Sequence, residues 1–176
     1  MEFLDQFRID LKAMTGDSEE RRFVLTDDFF AALDAPEVSR GRVTVDLQVR
    51  KVAGAFEFSF HTEGTVVVAC DMCLDDIDLP VSSDDRLVVK LGNEYSEQDE
   101  LIVVDENEGM LDTAWFIYEF IALAIPIRHV HAPGKCNAAM TETIERLSAA
   151  RSSEEDGAQS VDPRWAKLRE LNITTD

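Results

Sequence analysis

Cys70 and Cys73 lie in the stretch "TVVVACDMCLDDIDLPV", residues 65–81, where an apolar run ends in a cluster of aspartates. Thiolates at this spacing can both reach one ion about 2.3 Å away, so the pair offers two corners of a tetrahedral zinc site. The other two corners must come from elsewhere, and "RHVHAPGKCNAAM" offers His129, His131 and Cys136. His131 and Cys136 form the natural second half, with His129 the alternative to His131. Two other readings fit the same residues. Cys70 is in phase with a strand and could pack in the core, with the histidines as ordinary loop residues. The pair could also cycle between dithiol and disulfide. Against that stand Asp71, Asp75 and Asp76, because nearby negative charge raises a thiol pKa.

The chain carries no G-x-S-x-G, no phosphate loop and no G-x-G-x-x-G after a strand. Its carboxylates are so numerous that no pair stands out as an acid–base couple. An enzyme is therefore not expected. Three cysteines without a secretory leader argue against a disulfide framework, and Glu2, Asp5 and Arg8 break any apolar start, so a cytoplasmic protein is expected. "MLDTAWFIYEFIALAIPI", from Met110 to Ile127, is interrupted by Asp112 and Glu119 and stops at Pro126, which suits a buried helix better than a membrane span.

The cysteine pair needs a sheet to end and the second half needs a helix to precede it. "FRIDL" and "RRFVL" predict short strands, and "TDDFFAALDAP" predicts a short helix capped by Thr26. Val43, Val45, Leu47 and Val49 alternate, as do Phe56, Phe58 and Phe60, which predicts half-buried strands. "TEGT" at residues 62–65 reads as a hairpin turn returning the chain through Val66–Val68, and "DRLVVKL" and "ELIVV" add two strands. From Leu111 the apolar spacing becomes helical. These signals predict an α+β domain over residues 1–150: an antiparallel sheet or partial barrel covered by one long helix. Residues 151–161 read as a linker. Residues 162–176 read as a tethered amphipathic helix, opened by Pro163 and presenting Trp165 and Leu168 to a partner.

The net charge is −19 in 176 residues, and residues 52–127 carry −15 of it, with 17 acidic side chains against Arg86 and Lys90. Such a field repels nucleic-acid phosphates and draws basic partners from a distance. Neither DNA nor a membrane surface is an expected partner. A direct RNA-binding module would need Arg40, Arg42, Arg50, Lys51, Arg128 and Lys135 to converge in one patch.

The ordered combination of "CDMCL", an acidic stretch, "WFIYEFIALAIPIRHVHAPGKC" and "DPRWAKLREL" resembles the YceD family, the large ribosomal RNA subunit accumulation proteins, over residues 40–172. In particular it is similar to the form found in Bacteroidetes-type bacteria. The matched positions are Cys70, Cys73, Glu119, Leu123, Pro126, His131, Cys136, Asp162, Pro163 and Leu168. The resemblance implies a role in accumulation or processing of large-subunit rRNA. Combined with the charge, it points to a basic ribosomal protein or assembly factor as the partner, with rRNA reached indirectly. A thiol oxidoreductase or metal-dependent RNA-processing factor is the enzymatic alternative.

Overall fold

A computed structural model describes residues 2–93, 95–98 and 101–148. The chain divides into two units, Met1–Thr141 and Glu142–Asp176. The proposed linker and the helix carrying Pro163, Trp165 and Leu168 lie outside the described residues.

A 3-10 turn over Glu2–Phe7 leads into β1 (Arg8–Asp10), followed by β2 (Ser18–Leu25), α1 (Asp27–Leu33), β3 (Arg40–Val52), β4 (Ala55–Ala69) and β5 (Asp76–Gly92). The short β6 (Ser96–Gln98), β7 (Leu101–Asp105) and β8 (Met110–Asp112) precede α2 (Ala114–Leu123) and α3 (Ala138–Leu147). Six strands form one sheet in the order β2-β3-β4-β5-β7-β6, and β1 pairs with β8 in a separate two-stranded sheet.

This corrects the expected architecture in three respects. The large sheet is mixed, because β5 and β7 run parallel while its other pairs are antiparallel. It is open, with β2 and β6 as its two edges, and no barrel closes. Among the described residues no single long helix covers it: α2 has ten residues, because Met110–Asp112 is taken into the β1–β8 ladder instead. Leu111, expected on the helix, is a buried strand residue opposite Ile9.

The expected turn at "TEGT" is also absent. β4 runs through it, and the chain reverses instead at Ala53 and Gly54, whose φ angles of 49° and 82° place both in the left-handed region a tight hairpin turn requires. Phe56, Phe58, Phe60, Thr62, Val66 and Val68 all face one side and are buried. They meet Val43, Val45, Leu47 and Val49 of β3, and the aromatic side chains continue the core toward α2, with the Phe60 and Phe120 ring centroids 5.2 Å apart. Pro80 sits in β5 where that strand pairs only with β4, since β7 joins β5 only over Val88–Gly92, so its missing N–H costs no ladder bond.

The opposite face of the sheet is polar. Arg22, Asp46, His61 and Asp84 form one cross-strand row over β2–β5. Within it, Arg22 donates to Asp46 at 2.8 Å and His61 Nδ1 lies 2.8 Å from Asp84. The hydrogen bond to Asp84, then its charge, raises the His61 pKa above the usual 6.5. A raised folded-state pKa stabilises below the unfolded value, and that contribution is lost as pH rises through the folded-state value. In an NMR titration the His61 ring should therefore have its midpoint above 6.5, and Asp84→Asn should move it back down. An unchanged midpoint in the variant would count against the pairing.

Candidate metal centre

The six residues between β4 and β5 make a tight knuckle. Cys70 N–H donates to the Asp75 carbonyl at 2.9 Å and Leu74 N–H returns to the Cys70 carbonyl at 2.9 Å. The reversal needs Leu74 in the left-handed region, with φ 63°. Both thiols of the knuckle are buried.

After α2 the chain loops back to this knuckle. Asp71 N–H donates to the His129 carbonyl at 3.0 Å, and the Asp71 carboxylate accepts from His129 N–H at 2.7 Å. Asn137 Nδ2 donates to Asp75 at 3.2 Å, while Asn137 Oδ1 caps the first turn of α3 by accepting from Ala139 and Met140 N–H groups. These links draw Cys70, Cys73, His131 and Cys136 together, with all four ligand atoms within 4.8 Å of one another.

The distances suit a single four-coordinate ion. Cys70 Sγ and Cys136 Sγ are 3.9 Å apart, and His131 Nδ1 lies 3.4 Å from Cys73 Sγ and 4.0 Å from Cys136 Sγ. In a tetrahedral zinc site with ordinary bond lengths, sulfur–sulfur edges are about 3.8 Å and sulfur–nitrogen edges about 3.6 Å. His131 Nε2 lies 3.1 Å from the Asp76 carbonyl. A carbonyl only accepts, so Nε2 carries a proton there and Nδ1 is the atom turned toward the thiols, the arrangement that fixes a metal-binding imidazole. Sequence reasoning missed Asp76, because its acceptor is main chain and carries no residue-type signal. His129 turns away, with Nδ1 3.0 Å from the Pro126 carbonyl and Nε2 3.5 Å from Asp71.

The thiol electrostatics differ from expectation. Burial pushes the Cys70 thiol up, but backbone N–H groups of Cys73, Met72 and His131 outweigh it and bring the pKa to about 6. The expected acid-driven rise at Cys70 is therefore corrected: hydrogen-bond donors a few ångströms away prevail over exposed carboxylates that water screens. Cys136 goes the other way, to about 11, through burial first and then the neighbouring Cys70 and Cys73. His131 is raised, chiefly by its hydrogen bond to Cys70. One anionic sulfur thus makes the next harder to form, and a divalent cation removes that penalty by releasing the protons. A low-pKa thiol also suits redox chemistry, and Cys136 Sγ lies 3.9 Å from Cys70 Sγ, while burial closes Cys70 to a thiol from another molecule.

The six cations required for an RNA patch do not meet. Arg40 and Arg42 start β3 while Arg50 and Lys51 end it, about 33 Å away at ordinary strand rise. No helix among the described residues is long and apolar enough to cross a membrane.

An open mixed sheet whose β4–β5 knuckle and post-helix loop bring four metal-ligating side chains together is the class of domain these residues define. The chain matches the family described as Large ribosomal RNA subunit accumulation protein YceD over residues 58–172, about two thirds of its length, and it belongs to that family. The match includes all four residues of the cluster and starts within β4, later than the resemblance to residues 40–172 suggested. No curated protein and no solved structure matches the chain.

Proposed function

We propose that this chain supports accumulation of large-subunit rRNA without catalysing a reaction, by holding a basic ribosomal protein or assembly factor, while zinc at Cys70, Cys73, His131 and Cys136 fixes the loops beside the binding surface. The observation that carries this reading is how the cations are used. Arg8, Arg21, Arg22, Arg40, Arg50 and Arg86 each lie in an ion pair with a carboxylate of the same chain. Cations already neutralised at home displace few counterions from a phosphate backbone, so the surplus of acids dominates the long-range field. Four protein ligands would complete a tetrahedral ion and leave no position for a reacting water, which favours a structural role for the metal.

The test is an affinity pull-down at low salt from native cytosol, with and without RNase, comparing the wild-type chain with Cys70→Ser. The expected result is an identified basic ribosomal protein or assembly factor that persists after RNase, is released by salt and is lost in the variant. Recovery of rRNA alone, removed entirely by RNase, would overturn the reading in favour of direct RNA contact.

A further inference from the structure

Beside the cluster, the end of α2, the end of β4 and the Pro36 loop enclose a hollow of about 420 Å³. Its lining is mainly aliphatic: Val68, Ala122, Ile125, Pro126 and Ile127, with Glu37 at one side. It is tied to the knuckle through His129, which also lines it and is held by Asp71. Ile127, which lines the hollow, is fully exposed, and Leu123, next in the chain to the lining residue Ala122, is 81% exposed. On the knuckle, Leu74 is 68% exposed. Isolated exposed leucines need no explanation, but aliphatic side chains around an apolar hollow mark a contact surface.

The surrounding charge selects the occupant. Glu37, Asp71, Asp75, Asp76 and Asp78 are exposed on the loops and strand ends at this end of the sheet. The cations there among the described residues are Arg40, Arg42, Arg128 and Lys135, and Arg40 is already paired with Asp76. A second copy of the chain would bring another −19 against this one, which opposes self-association. We infer that the hollow takes an aliphatic side chain from a Lys- and Arg-rich protein segment, and is the place where the basic partner proposed above docks. The inference rests on that reading and adds where, and through which kind of side chain, the partner is held.

The test is an NMR titration of the full zinc-loaded chain at low ionic strength with two synthetic peptides. In one, lysines and arginines flank a single leucine; in the other that leucine is serine. The expected result is that the leucine peptide shifts the amides of Val68, Ala122 and Ile125 and binds about tenfold tighter than the serine peptide, the gain from burying one aliphatic side chain. Leu123→Ser with Ile127→Ser, both at exposed positions, should erase that difference. Equal affinities with shifts spread over the acidic residues would overturn the hollow and leave the basic-partner reading standing. Binding of neither peptide would overturn both. If Trp165→Ala with Leu168→Ala moves the same amides in the free protein, the chain's own terminal segment is the occupant and the inference falls.

Discussion

Cys73→Ser should reduce bound zinc to below about a tenth of an equivalent and lower the thermal midpoint by about 10 °C, while wild-type protein from zinc-supplemented medium carries about one equivalent. Cys73 Sγ is the sulfur nearest His131 Nδ1, at 3.4 Å, and the two residues are separated by 58 positions. An ion at this point closes the whole segment of β5, β6, β7, β8 and α2 into a loop. Closing a loop of that length is worth about 4 kcal/mol by chain entropy, and in a domain of this size each kcal/mol moves the midpoint by a few degrees. Serine oxygen is a poor substitute for thiolate on zinc, so the ion is lost rather than held by three ligands. His129→Ala supplies the contrast, since its ring is committed to Pro126 and Asp71 and zinc content should not change. Elemental analysis and scanning calorimetry on the three proteins decide the matter, and a zinc-free wild type would end the metal reading.

Gly64→Ala should be nearly as damaging, for a reason unrelated to turns. A Cβ built on Gly64 would lie 2.3 Å from the Arg42 carbonyl oxygen and 2.6 Å from Val43 Cα, both backbone atoms of the neighbouring strand. No side-chain rotamer relieves such a contact, so β3 and β4 must separate at the centre of the sheet. The expected loss is about 3 kcal/mol or more, at the upper end for overpacking. Gly16→Ala is the comparison, since its nearest contact is 3.5 Å from Ser18 and the change should cost about 0.5 kcal/mol or less. Urea denaturation measures both, and a Gly64→Ala chain as stable as wild type would show that the strands are not so closely apposed.

The same glycine shows why the sheet was only partly legible. "TEGT" has turn composition, yet Phe56, Phe58, Phe60, Thr62, Gly64, Val66 and Val68 keep one parity throughout, which is the signature of a single strand. The first half of β5 was hidden for the opposite reason. Its inward positions include Ser83 and Asp85, which interrupt an alternation otherwise carried by Val81, Leu87 and Val89. Ser83 Oγ, Asp85 Oδ2 and Thr62 Oγ1 are buried without a hydrogen-bond partner among the described residues, and nothing in the structure explains them. Strand direction leaves no trace in periodicity, so the parallel pairing of β7 could not be read. The cluster was more legible, because soft and borderline metal ligands are rare side chains whose types and spacing restrict what they can do. The choice between His129 and His131 was not, because it depends on which backbone carbonyls each ring meets.

The knuckle that holds Cys70 and Cys73 is also the turn of the β4–β5 hairpin, the longest ladder among the described residues, running from Ala69↔Asp76 to Phe56↔Val89. Contacts between neighbours in sequence form quickly, whereas joining residues tens of positions apart waits for slower chain closure. The two cysteines are therefore brought into place early, as the hairpin zips. His131 and Cys136 join them from beyond β5, β7, β8 and α2, so completion of the four-residue cluster is expected to follow the hairpin.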